Sequence, residues 1–185
     1  MIFSCGNGVV CTRTPRRFKE AGFPAGVVNF VTHAPADAAA IAEAIVAHPA
    51  QRRVNFTGST RVAKLIAQTC AKFLKPVVLE LGGKAPLVVL DDADLDAAVN
   101  GAACGAFANS GQLCMSTERL VVDRRIADAF VDRVAAKATK LPLGDPRKGP
   151  VVLGAVVDAS TVERCNALID DALAKGAKLV CGGKT

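Results

Sequence analysis

The stretch Val54–Leu81, VNFTGSTRVAKLIAQTCAKFLKPVVLEL, decides the fold class. Val54–Thr57 reads as a short strand, and Gly58 as a sharp turn. A helix follows from about Ser59 to Leu74, because Val62, Leu65, Ile66, Thr69, Cys70 and Phe73 recur at helical spacing on one face. Pro76 stops it, and Val77–Leu81 is a second strand. Upstream, Val27–Val31 (VVNFV) reads as a buried strand. Asp37–Ala47 reads as a helix with Asp37 near its start and His48-Pro49 at its end. Strand–helix–strand–helix–strand is the pattern of a parallel sheet covered by helices.

The alternation starts again after Gly82-Gly83. Leu87–Leu90 is a strand, Asp94–Asn109 a helix capped by Asp92 or Asp94, and Leu120–Val122 a strand. Ile126–Thr139 is a helix, Leu141–Pro150 a Pro/Gly loop, Thr161–Lys175 a helix ended by Gly176, and Leu179–Cys181 a short strand. The paired glycines mark a boundary between residues 1–82 and 83–185. A first strand is expected around Gly8–Cys11, followed by a helix of about two turns from Thr14-Pro15 to Gly22.

Composition narrows the function classes. The chain has 185 residues, 23 Lys+Arg, 17 Asp+Glu, a formal net charge of +6, and 51% hydrophobic residues. That apolar content excludes a solvated disordered chain. With eight Phe and no Tyr or Trp, Ala, Val and Leu must fill the core, and bases would find few rings to stack on. The basic residues read as a solvated face and not as a nucleic-acid surface. The longest charge-free run, Ala97–Thr117, is too polar for lipid, and MIFSCGNG lacks the features of a signal peptide. Seven cysteines, none spaced CxxC, suggest neither a disulfide framework nor a metal site, and point to reduced thiols in the cytoplasm.

Three stretches carry chemistry. In Phe56-Thr57-Gly58-Ser59-Thr60 a strand ends and a helix opens, so free backbone N–H groups and the helix dipole would suit a dinucleotide pyrophosphate. The plainer reading is that Ser59 caps a helix. Neither GxGxxG nor GxxxxGK[ST] is present. In Leu79-Glu80-Leu81-Gly82-Gly83-Lys84, Glu80 ends an apolar strand and is either a surface residue or a base poised by burial. In Gly111-Gln112-Leu113-Cys114 a cysteine follows a helix in a glycine-containing loop, where backbone amides favour a thiolate nucleophile. An incidental thiol is the alternative. Cys70, Cys104 and Cys165 lie within helical runs and read as core thiols. His33 and His48 read as loop residues.

Together and in this order, Phe56–Thr60, Leu79–Lys84 and Phe107–Cys114 resemble the aldehyde dehydrogenase superfamily. The 34-residue separation of Glu80 and Cys114 fits that family. Gly22–Asn29, Asp92–Leu95 and Leu143–Pro146 extend the likeness over essentially the whole chain. Val27–Ala38 and Cys114–Arg119 look most like the salicylaldehyde and vanillin branch. The resemblance implies an α/β fold: a partial Rossmann-like NAD(P)-binding domain over 1–82, then the start of a catalytic α/β domain over 83–185. It implies oxidation of an aromatic aldehyde to its acid, with Cys114 as nucleophile, its own N–H in the oxyanion hole, and Glu80 as the base that activates water. Gly26, Phe56, Gly58, Ser59, Thr60 and Leu81 would contact NAD or NADP, and no metal is implied.

Departures from the family accompany the likeness. The upstream Asn that completes the family's oxyanion hole has no counterpart. Thr12-Arg13-Thr14-Pro15 stand where a ribose-binding Lys motif is expected. Ala63 replaces the second glycine of Gly-Ser-Thr-x-x-Gly, on a face expected to meet the cofactor. The nicotinamide-ribose Glu motif and the strand used in oligomers would lie beyond Thr185. The chain alone is therefore expected to be a feeble enzyme, or a non-catalytic remnant that at most binds nucleotide or other chains.

Overall fold

The computed structural model describes residues 2–5 and 16–183, in two compact units, Met1–Leu81 and Gly82–Thr185. The expected strand at Gly8–Cys11 and the start of the following helix lie outside the described residues. Residues 16–20 are helical, and Gly22 at φ 85° ends that turn.

The first unit contains strands β1 (Ile2–Cys5), β2 (Asn29–Thr32), β3 (Val54–Gly58) and β4 (Val77–Leu81), with helices α1 (Ala38–Ala47) and α2 (Thr60–Lys72). β1 pairs in parallel with β2, and β3 in parallel with β4. The β3–α2–β4 crossover is the unit that the opening stretch dictates. Among the described residues β2 makes its ladder with β1, and no ladder joins β2 to β3. Ala-rich α1 needs no cap, and Asp37 makes no side-chain capping bond. Lys75 Nζ donates to the carbonyls of His48 at 2.6 Å and Gln51 at 2.5 Å, tying the end of α1 to the link between α2 and β4. Among the described residues, Val46, Ala63 and Cys70 are the buried apolar residues of this unit.

Two features of α2 differ from the periodicity. Leu65 and Phe73 share its apolar spacing but are exposed. Spacing counts apolar residues and does not say whether a neighbour covers them. The helix ends with Leu74 at φ 52°, its N–H donating to Ala71 O at 3.1 Å and the Lys75 N–H to Cys70 O at 2.9 Å. This is a Schellman-type end with leucine in the left-handed position that glycine usually takes.

The second unit contains β5 (Ala85–Val89), α3 (Leu95–Phe107), β6 (Thr117–Val122), α4 (Ala127–Ala138) and α5 (Ala159–Ala174). β5 and β6 are parallel, Leu87 beside Leu120 and Val89 beside Val122. Val89, Val99, Ala102 and Phe130 form the core between this sheet and helices α3 and α4. Asp94 caps α3, accepting from the Asp96 and Ala97 N–H groups at 3.0 Å each. The opposite sheet face exposes Val88 and Val121, which are register neighbours. Leu179–Cys181 is not a strand: it forms no ladder among the described residues, and an apolar triplet without a neighbouring strand leaves its backbone groups to water.

Candidate active site

The carboxyl ends of β3 and β4 collect most of the first unit's candidates. Parallel register sets Thr57 beside Glu80 and Gly58 beside Leu81. Open α/β sheets bind ligands outside such strand ends. Ser59 is the N-cap of α2, its Oγ accepting from Val62 N at 3.3 Å. The N–H groups of Thr60 and Arg61 point out of the helix without a protein acceptor among the described residues, as the first turn of a helix requires.

Gly58 is not the turn glycine expected from sequence. It is the last residue of β3 and does not take a left-handed φ. Its role is smallness: a Cβ there would stand 2.5 Å from the Phe56 ring edge, on the same strand face two residues back. Glu80 is exposed at the end of β4, the surface alternative of its two sequence readings. Ala63 is 1% exposed, so its methyl packs inside the unit and does not face a ligand as expected. Gly26 belongs to a different element. It takes φ 85° in the turn Pro24–Val27 leading into β2, where its carbonyl accepts from Asn29 Nδ2 at 2.9 Å.

In the second unit Cys114 is exposed at a corner built by strain and closed by hydrogen bonds. Asn109, Ser110 and Gly111 take φ of 51°, 57° and 71° in succession after α3 ends. Three left-handed residues reverse the chain at a conformational cost for the two that carry a Cβ. The turn Leu113–Ser116 follows, with Ser116 N–H donating to Leu113 O at 3.1 Å and Leu113 N–H to Ser116 Oγ at 3.3 Å. Ser116 is 3% exposed and fixes the turn from inside. The N–H groups of Cys114 and Met115 have no protein acceptor among the described residues. Exposed Leu113 and Met115 flank it with apolar surface.

Both sides of the turn are anchored. Gly105 in α3 lies against Thr117 at the start of β6, with no room for a Cβ between them. Lys84 and Glu118 form an ion pair just beyond. Sequence reasoning missed Ser116 and Gln112; a serine closing a four-residue turn, and Asn109 as a residue tolerant of left-handed φ, were the available signals.

The other thiols correct the sequence expectation in part. Cys70 is buried, and burial pushes its thiol up from the ordinary value with Lys75 pulling it partly back. Cys104 and Cys165 are exposed and not core, because α5 has no buried residue and Cys104 lies on the open side of α3. His48 Nδ1 accepts from Ala50 N at 3.2 Å, a loop role. Among the described residues, no cluster of His, Cys, Asp or Glu is placed to hold a metal ion, and no helix is long and apolar enough to cross a membrane.

Parallel βαβ units with candidate residues at strand ends and helix starts describe many enzymes, and comparison narrows them. Residues 7–185 match the aldehyde dehydrogenase family, and the chain belongs to it. It is 55% identical to a vanillin dehydrogenase from Pseudomonas fluorescens, with all of this chain and 40% of the relative covered. It is 52% identical to a salicylaldehyde dehydrogenase from Pseudomonas putida, over 89% of this chain and 34% of the relative. The crystal structure of a salicylaldehyde dehydrogenase from Pseudomonas putida G7 complexed with salicylaldehyde superposes with a TM-score of 0.94 at 48% identity, covering all of this chain and 39% of that one. A betaine aldehyde dehydrogenase from Staphylococcus aureus in complex with NAD+ gives 0.88 at 28% identity, over 99% and 36% of the two chains. The chain thus spans about two fifths of the length of these relatives.

Proposed function

We propose that the chain carries the nucleophile, the base and part of the dinucleotide site of an NAD(P)-dependent dehydrogenase for aromatic aldehydes. The observation that carries this reading is the exposed Cys114 at the corner of a turn bonded twice through Ser116. The named activities of the vanillin and salicylaldehyde relatives support the substrate class, as does the apolar flank of Leu113 and Met115.

The strand ends fit a dinucleotide. Outward N–H groups at Thr60 and Arg61, the Ser59 cap and the small Gly58 leave an exposed, donor-rich edge for a pyrophosphate. In this reading Phe56, Gly58, Ser59, Thr60 and Leu81 line the cofactor, with Gly26 nearby. When bound there, NAD or NADP supplies the hydride acceptor. Cys114 attacks the aldehyde carbon as thiolate, a C–S bond forms, and the carbonyl π pair moves to oxygen. The Cys114 N–H donates to that oxyanion. Once the carbon is oxidised, Cys114 holds a thioester. Glu80 takes a proton from water as the water adds, the C–S bond breaks, and the thiolate leaves with the carboxylic acid released.

Formation of reduced nicotinamide from NAD+ or NADP+ with benzaldehyde, followed by absorbance, tests the reading. It predicts turnover that Cys114→Ala abolishes and Glu80→Gln slows. Turnover surviving in Cys114→Ala would refute it. The chain's span of two fifths of its relatives favours a second reading, in which this chain alone binds nucleotide without turnover; nucleotide binding with no reduction, in the presence of a reactive Cys114, is its signature.

A further inference from the structure

We infer that Gln112 is the positioning residue of the Cys114 loop, its carboxamide tying that loop at one end to its own start and at the other to a separate strap of chain. This rests on reading Cys114 as the nucleophile. Gln112 Nε2 donates to Asn109 O at 3.0 Å, and Gln112 Oε1 accepts from Val157 N–H at 3.2 Å. Each end of the amide meets its complement, a carbonyl for the NH2 and an N–H for the oxygen. The reversed amide would set donor against donor and acceptor against acceptor. The Gln112 backbone N–H adds a bond to the same Asn109 carbonyl at 3.1 Å.

A second tie runs in parallel. Ser110 Oγ donates to Gly154 O at 3.0 Å, so loop positions 110 and 112 reach residues 44 and 45 places further along the chain. The receiving strap is itself closed. Pro142 O accepts from Val152 N–H at 2.9 Å and Leu153 N–H at 3.2 Å, and Gly144 N–H donates to Leu153 O at 3.1 Å. The strap is therefore hydrogen-bonded to its own start immediately before Gly154.

The need for an anchor follows from the backbone. Asn109 and Ser110 hold left-handed angles that L-residues leave readily when nothing outside the turn constrains them. Relaxation of either rotates the peptides leading to Leu113 and moves the Cys114 corner, sulfur and N–H groups together, relative to α3 and the strap. Gln112 acts on the thiol only through that placement. It touches neither the sulfur nor the reacting carbon.

The test is competitive alkylation of the intact chain by iodoacetamide, read peptide by peptide, with exposed Cys165 on α5 as internal reference. Gln112→Met keeps side-chain length but loses both bonds. Gln112→Glu keeps the acceptor for Val157 N–H. Ser110→Ala removes the second tie and leaves residue 112 intact. The expected wild-type ratio of Cys114 to Cys165 rates is well above one. It falls about tenfold in Gln112→Met, recovers in part in Gln112→Glu, and falls by a smaller factor in Ser110→Ala. A packing role alone would make methionine as good as glutamate. A high wild-type ratio unchanged in Gln112→Met and Ser110→Ala, with native circular dichroism, overturns the positioning role and leaves the nucleophile standing. A wild-type ratio near one overturns the nucleophile reading, and the positioning role falls with it.

Discussion

Replacing Gly105 by alanine is a stringent probe of how the Cys114 turn is held, because two opposing effects can be sized. Gly105 lies within α3, where alanine normally stabilises a helix by roughly 0.5–1 kcal/mol relative to glycine. Here an added Cβ would overlap Thr117 Oγ1 and stand 3.2 Å from Thr117 Cβ. The Oγ1 overlap is relieved by rotating one bond, but the Cβ contact moves only with the backbone of β6. Forcing a methyl into a filled site costs about 1–3 kcal/mol. The overlap offsets or outweighs the propensity gain, and Gly105→Ala destabilises the chain by about 0–2.5 kcal/mol. Gly101, one helical turn earlier, is the internal control: a Cβ there meets nothing within 4 Å. Gly101→Ala stabilises by roughly 0.5–1 kcal/mol on the same helix. Urea unfolding followed by circular dichroism measures both, and Thr117→Ala combined with Gly105→Ala recovers part of the loss. Equal stabilisation by both alanines would refute the close approach of α3 and β6.

Other perturbations follow from single environments. Phe130 is 1% exposed at the centre of the second unit's core, so Phe130→Ala costs about 3–5 kcal/mol, measured by the same unfolding curve. Leu74→Gly removes a left-handed leucine whose side chain is exposed; relief of about 1–2 kcal/mol exceeds the roughly 0.5–1 kcal/mol of added chain entropy, and the unfolding midpoint rises. The Arg125 side chain, then its backbone N–H, hold the Asp123 carboxyl down to about 2. A depressed carboxylate contributes stability that is present above its unfolded value of about 4 and is lost as pH falls toward 2. Asp123→Asn accordingly flattens the acid limb of the stability profile in that window, and a carbon-detected titration midpoint near 4 for Asp123 would contradict the pairing.

What the sequence made legible is what local chemistry dictates. β4 spans Val77–Leu81 as read, because Pro76 and the Gly82 pair punctuate both ends. The start of α3 was readable from Asp94, whose side chain caps it. What depends on distant neighbours was not readable. Gly58 looked like a turn because glycine often is one, yet its place beneath the Phe56 ring calls for small size and not for a special φ. Leu65, Phe73, Cys104 and Cys165 sit at apolar helical positions and are exposed, since periodicity does not report what packs opposite. The Cys114 turn was legible as a reactive candidate by residue type. Its supports at Ser116, Gln112 and the strap were not, because they arise from pairings across 3 to 45 positions of chain.

In the proposed function Cys114 becomes acylated by an aldehyde and Glu80 lets water release the acid. Intact-mass and peptide analysis of the chain, quenched after mixing with benzaldehyde and NAD+ or NADP+, tests it most directly. The prediction is a benzoyl thioester on Cys114 that requires the dinucleotide and accumulates in Glu80→Gln. Acyl groups absent from Cys114, or equally abundant without dinucleotide, would contradict it.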